Sequence, residues 1–156
     1  MDILRTSVAA AAVWATSSVM APAHAATPAE QAVLAPFRAV LDGIGKRDKA
    51  LVRAQLLPGG TTTFIRNGQV VQHTFDAFVE KLPSTGTSRI EERIYDPLVR
   101  IDDDIAVIWA AYDFLIDGKV DHCGTDIATL VRRDGRWLIS TISDNSRKTC
   151  PARPTP

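Results

Sequence analysis

Apolar positions are most regular between residues 104 and 146, where three β-prone runs are separated by Asp-Gly pairs. Asp117-Gly118 lies between the first two runs and Asp134-Gly135 between the second two. An Asp-Gly pair between apolar runs predicts a type I′ hairpin turn, because both central residues of that turn need positive φ. We therefore expect three long antiparallel strands joined by two tight turns.

A first helix is predicted directly after residue 27. Thr27 is a suitable N-cap, Pro28 suits the first helical position, and Glu30 completes a capping box with Thr27. Apolar side chains then recur at helical spacing, at Val33, Leu34, Phe37, Val40, Leu41 and Ile44. This helix therefore has one apolar face to bury.

Shorter elements connect this helix to the three strands. In chain order the pattern predicts a helix over 49–56, a loop over 57–60, strands over 61–66 and 69–73, a helix over 75–82 and a long strand over 89–101. Asn67-Gly68 is a further hairpin pair, and Pro97 predicts a bulge or an edge position in its strand. The order favours an α+β fold, in which a curved antiparallel sheet wraps around the N-terminal helices and leaves a cavity.

Residues 1–25 have the pattern of a secretory signal peptide. Arg5 forms a minimal basic start, residues 8–14 are apolar, and Ala23-His24-Ala25 fits a cleavage site after Ala25. The apolar run is too short to span a bilayer. We therefore expect a periplasmic or secreted protein with one domain over 26–146 and an irregular, proline-rich tail over 147–156.

Charge excludes two classes of partner. The chain has 18 basic and 18 acidic residues. Loss of the signal peptide removes one acid, Asp2, and one base, Arg5, so the balance is kept. Nucleic acid or an anionic membrane as the main partner would call for a basic excess.

The two cysteines, Cys123 and Cys150, are most simply one disulfide in an exported protein, which would hold the tail beside the rim of the cavity. The alternative is a pair of unrelated buried thiols. No CxxC motif or Cys/His cluster with zinc spacing is present, so no metal and no cofactor are expected. Motifs for a serine nucleophile, a phosphate loop or a dinucleotide site are also missing from the sequence.

Several local motifs carry a family resemblance. They are His122-Cys123-Gly124-Thr125-Asp126, Leu130-Val131, Gly135-Arg136-Trp137-Leu138-Ile139, Asp144 and Arg147. Together with the element order over residues 27–146, they resemble an exported bacterial subgroup of the nuclear-transport-factor-2-like, or SnoaL-like, superfamily. The resemblance implies a cone-shaped α+β barrel with a pocket, and a homodimer formed through the sheet. It implies no single reaction, since the superfamily contains cyclases, isomerases, dehydratases and non-catalytic binding domains.

Strand register then predicts one wall of the pocket. Two-residue turns at 117–118 and 134–135 would place Asp113 opposite His122 and Asp126 opposite both Trp109 and Ser143. The face so defined carries the predicted site residues, which are Trp109, Ala111, Asp113, His122, Gly124, Asp126, Thr141, Ser143 and Asn145. Polar groups among apolar ones are typical of a ligand pocket. A β-bulge would exchange the two faces beyond it.

Asp126, His122 and Asp113 have candidate catalytic roles, whereas Trp109 is a candidate ligand contact. Asp126 would be partly desolvated, which raises the pKa of a carboxyl and suits a general acid or base, or it could be a structural anchor. His122 could be a base oriented by Asp113, or the two could form a surface ion pair. Trp109 could stack on a ring-shaped ligand or belong to the core.

The sequence supports three functional hypotheses. The first is a binding domain for a small apolar or aromatic molecule, which the weak catalytic signal favours. The second is a cofactor-free isomerase, cyclase or dehydratase that uses Asp126 or His122 as its general acid or base. The third is a dimeric interaction module whose pocket has no ligand.

Overall fold

The computed structural model describes residues 25–153, so the predicted signal peptide lies almost wholly outside the described residues. The helices are α1 Pro28–Lys46, α2 Lys49–Arg53 and α3 Phe75–Lys81. The strands are β1 Leu56–Arg66, β2 Gln69–Thr74, β3 Ile90–Asp102, β4 Ile105–Ile116, β5 Lys119–Arg133 and β6 Arg136–Arg147. The order confirms the α+β fold class.

Helix α1 begins with the predicted capping box. The Glu30 backbone N–H donates to Thr27 Oγ1 at 3.2 Å, and the Thr27 N–H donates to Glu30 Oε2 at 2.7 Å. The helix ends at Arg47, which adopts the left-handed conformation at φ 58°. Its apolar face is buried against β3 and β6, and it supplies Val33, Leu34, Phe37 and Val40 to the core.

The six strands form one sheet in the order β2-β1-β6-β5-β4-β3. Strands β3 to β6 are antiparallel neighbours as predicted, whereas β1 pairs with β6 in parallel. Strand β1 also begins earlier than predicted, at Leu56, and includes the expected loop 57–60. A β-carbon on Gly60 would lie 2.5 Å from the Ser140 carbonyl oxygen, so glycine lets this part of β1 approach β6 closely.

All three predicted hairpin pairs have positive φ at both residues. The values are 50° and 74° for Asn67-Gly68, 51° and 79° for Asp117-Gly118, and 52° and 76° for Asp134-Gly135. The predicted bulge near Pro97 is also present, since the β3–β4 register shifts between Tyr95 and Leu98.

The register predicted from the β4–β5 turn is correct only next to that turn. Leu115 lies opposite Val120, but Phe114 lies opposite His122, so Asp121 is an extra residue that forms a bulge. Beyond the bulge the pairing moves by one residue. The observed pairs are Asp113 with Cys123, Ala111 with Thr125, Ala110 with Asp126 and Trp109 with Ile127, and the predicted Asp113–His122 and Trp109–Asp126 pairs are wrong.

A second bulge shifts the β5–β6 register. Leu130 pairs with Ile139 and Thr129 pairs with Thr141, which leaves Ser140 as the extra residue. Beyond it, Asp126 lies opposite Asp144 and not the predicted Ser143. Gly124 lies opposite Ser146, and Ala128 lies opposite Ile142. The two bulges therefore exchange several residues between the two faces of the sheet.

The helices cover the concave face of the sheet, and the convex face remains open. Exposed apolar side chains on the convex face include Leu98, Ile105 and Trp109, the last of which is 53% exposed. No helix within residues 25–153 is long and apolar enough to cross a membrane.

The C-terminal tail is fastened to the convex face. The predicted disulfide between Cys123 and Cys150 is confirmed, with 5.7 Å between the two Cα atoms. Three residues further on, Arg153 Nε donates to Asp113 Oδ1 at 2.9 Å, and its guanidinium lies 4.8 Å from the Tyr95 ring centroid. Both members of this ion pair are largely buried, so residues 148–153 are irregular in conformation but held in place.

Candidate functional site

A cavity of about 410 Å³ lies between α1 and the concave face of the sheet. Its walls are mainly apolar and include Phe37, Leu41, Phe64, Phe78, Phe114 and Ile142. At one part of the wall the polar side chains gather, and we name Thr62, Arg66, Glu92, Asp126 and Asp144 the polar end. An apolar cavity with a few convergent polar groups is the usual form of a small-molecule site.

Four different strands supply the polar end. Thr62 and Arg66 alternate with Phe64 along β1, so all three side chains face the cavity. Asp126 of β5 lies directly opposite Asp144 of β6, which places two carboxyl groups side by side on the concave face. Like charges in directly opposite positions destabilise a sheet unless another group compensates them.

The positive charge of Arg66 offsets the negative charge of Asp144. Its Nη2 donates to Asp144 Oδ2 at 2.9 Å, and its Nη1 donates to Asp144 Oδ1, so the guanidinium grips the carboxylate with two bonds. This hydrogen bonding raises the pKa of Arg66 above its ordinary value. The guanidinium is thereby committed to Asp144, in the bidentate geometry that makes such pairs strong.

Glu92 and Asp126 form a second arrangement, which we name the carboxyl pair. Burial, and next the charge of Glu92, raises the pKa of Asp126 to about 9. Burial, and next the charge of Asp144, raises the pKa of Glu92 to about 7, while a hydrogen bond from Asp126 opposes that rise. At neutral pH the pair therefore holds a proton, which Asp126 donates to Glu92.

Two buried polar atoms at this site have no hydrogen-bonding partner within residues 25–153. They are Asp126 Oδ2 and Thr62 Oγ1, and both side chains line the cavity. Asp126 is 3% exposed and Thr62 is 0% exposed. An unpaired buried polar atom is costly, so both positions favour a bound group that can pair with them.

Tyr112 lines the cavity and is hydrogen-bonded to the backbone of β6. Its hydroxyl donates to the Asn145 carbonyl oxygen at 2.9 Å. Burial, with the charges of Asp144 and Glu92, raises its pKa well above the ordinary value. A β-carbon on Gly124 would lie 2.6 Å from the Tyr112 ring and 1.9 Å from the Asn145 oxygen. Gly124 therefore makes room for Tyr112.

His122 lines the cavity, but its partner is not Asp113. The bulged residue Asp121 accepts from His122 Nδ1 at 2.9 Å and from Lys148 Nζ at 3.0 Å. These two hydrogen bonds lower the pKa of Asp121. The imidazole stacks on Phe114 with 4.8 Å between ring centroids, so its orientation is fixed from two sides.

The structure divides the predicted site residues between the two faces. Asp126 and His122 line the cavity, and Gly124 is buried beneath Tyr112. The residues that register places on the convex face are Trp109, Ala111, Asp113, Thr141, Ser143 and Asn145. The prediction that these six share a wall with Asp126 was wrong, because each lies beyond a bulge on the shifted side.

Sequence reasoning missed Arg66, Glu92, Tyr112 and Asp144. A one-residue shift in each hairpin would have placed Tyr112 and Asp144 on the wall with Asp126. The alternation of Thr62, Phe64 and Arg66 was visible, but nothing in the sequence placed β1 beside β6.

Within the described part of the chain, no group of three or more His, Cys, Asp or Glu residues could hold a metal ion.

Several solved structures have a fold similar to that of this chain. Similar chains include a protein of unknown function from Mycobacterium tuberculosis, with a TM-score of 0.63 and 19% identity over 75% of this chain and 70% of that one. A nuclear-transport-factor-2-like protein of unknown function from Silicibacter pomeroyi has a TM-score of 0.59 and 16% identity, over 78% of this chain and 100% of that one. A cystatin-like-fold protein from Nostoc punctiforme has a TM-score of 0.63 and 8% identity, over 80% and 96% of the two chains. The chain therefore has the nuclear-transport-factor-2-like, or cystatin-like, fold.

A protein-family model assigns the chain to one family with this fold. The model described as "Putative lumazine-binding" matches residues 28–142, which include α1 to α3, strands β1 to β5 and most of the cavity wall. The chain belongs to this family. A comparison with curated proteins found no significant match.

Proposed function

We propose that this protein binds a small, mainly apolar or aromatic molecule in the cavity beneath α1. The observation that carries the proposal is the cavity of about 410 Å³, which has mainly apolar walls and a polar end with unpaired buried atoms. A molecule of one or two rings fits a cavity of this volume, and its polar group would meet the polar end. The description of the family supports the same class of function.

Native mass spectrometry of the exported protein tests this proposal. We expect an excess mass of a few hundred daltons that disappears on denaturation, together with ligand-dependent protection against thermal unfolding. The same spectrum reports whether the protein is a dimer. An empty protein that binds no aromatic compound from a chemically diverse library would contradict the proposal and favour the interaction-module hypothesis.

A cofactor-free isomerase, cyclase or dehydratase is the second candidate. The specific observation in its favour is the carboxyl pair, since two groups with pKa values of about 7 and about 9 can act as base and acid near neutral pH. Glu92 would take a proton from a carbon next to a carbonyl group, while Asp126 donates its proton to the carbonyl oxygen. Asp126 and His122 were the predicted acid–base residues, and both line the cavity.

Deuterium exchange separates the two candidates. An enzyme of this kind should incorporate deuterium from D₂O into the α-carbon of a two-ring ketone such as 2-tetralone, detected by NMR. Asp126→Asn should abolish that exchange, because the amide cannot cycle a proton. A binding protein should show no exchange above buffer, with ketone binding altered only modestly by the substitution.

Export and dimerisation complete the proposed function. The Cys123–Cys150 disulfide is compatible with an extracellular location, because such bonds persist in oxidising compartments. We infer that residues 1–25 direct export, which cell fractionation of the full chain and a chain lacking them would test.

We also infer a homodimer through the convex face, where Trp109 and Ile105 are exposed. Trp109→Glu should then give a monomer by analytical ultracentrifugation.

A further inference from the structure

The polar end of the cavity has more acidic than basic groups. The titratable groups that line the cavity as a whole are Arg66 of β1, Glu92 of β3, Tyr112 of β4, His122 and Asp126 of β5, and Asp144 of β6. Helix α1 contributes only apolar side chains to the cavity. Three carboxyl groups therefore face one guanidinium and one imidazole.

The available basic groups are already engaged. Arg66 holds Asp144 with two hydrogen bonds. His122 Nδ1 is directed to Asp121, which Lys148 also contacts from outside the cavity. The carboxyl pair of Glu92 and Asp126 consequently has no cationic partner of its own among the described residues.

The unpaired atoms indicate which hydrogen-bonding groups a ligand at this site would have. Asp126 Oδ2 is a buried acceptor without a donor. Independently of the acidic groups, the fully buried Thr62 Oγ1 lines the same cavity and is also unpaired. A ligand with two N–H groups on one edge could donate to the carboxylate, and an adjacent heteroatom could pair with the hydroxyl.

The apolar walls favour the same kind of ligand. Phe37, Phe64, Phe78 and Phe114 line the cavity, and the faces of aromatic rings attract cations. An anionic group would meet uncompensated carboxyl groups in a largely desolvated space, so carboxylate and phosphate ligands are disfavoured.

We propose that the ligand is a planar nitrogen base, an amidine or heteroaromatic amine, held as its cation with an N–H edge against Glu92 and Asp126. This inference rests on the proposed binding function and specifies its ligand class. A cation in this position stabilises the ionised carboxyl pair, so binding expels the proton that the empty site keeps. Proton release on binding is therefore a signature that neither a neutral nor an anionic ligand would give.

Three nearly isosteric probes test the ligand class. These are 2-naphthamidine, which is a cation, 2-naphthamide, which is neutral, and 2-naphthoate, which is an anion. Isothermal titration calorimetry of the purified full chain with each probe, in two buffers of different ionisation heat, gives both affinity and proton release. We expect 2-naphthamidine to bind about tenfold or more tightly than 2-naphthamide, as a hydrogen bond to a charged group implies, and 2-naphthoate to bind most weakly.

Two variants test whether the preference for the cation arises at the carboxyl pair. Asp126→Asn should remove most of the preference for the cation and its proton release, while affinity for 2-naphthamide changes little. Asp104→Asn, in the exposed β3–β4 turn, is the matched control and should bind like the unaltered protein. Circular dichroism of each variant checks that it is folded.

The possible outcomes separate this inference from the proposed function. If 2-naphthamide binds as tightly as 2-naphthamidine, or if cation binding releases no proton, the ligand class is refuted and the binding function stands. If the cation preference survives undiminished in Asp126→Asn, the site assignment is refuted. If none of the three probes binds, the ligand class fails and the proposed binding of aromatic molecules loses its support as well.

Discussion

Replacement of Asp126 by asparagine should change how the stability of the protein depends on pH. The raised pKa means that the folded state holds a proton that the unfolded state, with an ordinary aspartate, has already lost. The contribution of this group to stability is therefore complete at low pH and is lost as the pH rises towards about 9. Asparagine is neutral at every pH and can still donate a hydrogen bond to Glu92, so it removes this dependence.

The size of the effect follows from the two pKa values. Between pH 7, near the pKa of Glu92, and pH 9, near that of Asp126, one extra proton is bound by the folded state. Each pH unit then costs the unaltered protein about 1.4 kcal/mol of unfolding free energy. From pH 7 to pH 9, the stability of Asp126→Asn relative to the unaltered protein should thus improve by about 2–3 kcal/mol.

Urea unfolding at several pH values between 6 and 9, followed by tryptophan fluorescence with the disulfide intact, measures this difference. Groups elsewhere titrate equally in both proteins and cancel in the comparison. Asp104→Asn is again the control, because its exposed carboxylate should leave the profile unchanged. Parallel pH profiles for Asp126→Asn and the unaltered protein would refute the idea that Asp126 keeps a proton in the folded state.

Three further variants test other parts of the structure. Gly124→Ala should cost about 3 kcal/mol or more by thermal unfolding, because its β-carbon would lie 1.9 Å from the Asn145 oxygen; a loss below 1 kcal/mol would contradict the packing. Arg66→Met should cost about 2 kcal/mol at pH 8, the penalty being moderated by its 37% side-chain exposure, and less at pH 5, where the raised pKa values of Glu92 and Asp126 keep both groups neutral beside Asp144. Cys150→Ser opens a loop with a sequence separation of 27 and should cost about 3.5 kcal/mol in urea, with faster proteolysis of the tail; unchanged proteolysis would show that Arg153 alone holds the tail.

Local sequence signals predicted the elements and turns well. The Thr27 capping box and the Asp117-Gly118 and Asp134-Gly135 turns depend on residues close together in the chain, and each formed as expected. Strand β1 was harder, because its parallel pairing with β6 depends on a contact across about 80 residues. Such pairing leaves no local pattern in either strand.

The bulges explain why the site was only partly predicted. Ser140 uses its extra position to donate to the Thr129 carbonyl oxygen at 3.1 Å, and Asp121 uses its position to contact both His122 and Lys148. Each bulge is thus stabilised by partners that become neighbours only in the folded sheet. Asp126 was predicted from the expected strand register, with Trp109 across the sheet and Ala128 along the strand, and the Trp109 pairing was wrong. Glu92 and Asp144 became site residues only through the observed register of the sheet.

The bulge at Asp121 also separates the composition of the cavity wall from the length of β5. Deletion of Asp121 would leave Leu115 opposite Val120 and Phe114 opposite His122, now as neighbours in a regular ladder. Tyr112 and Phe114 would therefore still face the cavity. What the deletion removes is the carboxylate that contacts His122 and Lys148. One residue of strand length can thus be lost at this point without exchanging the two faces of the sheet.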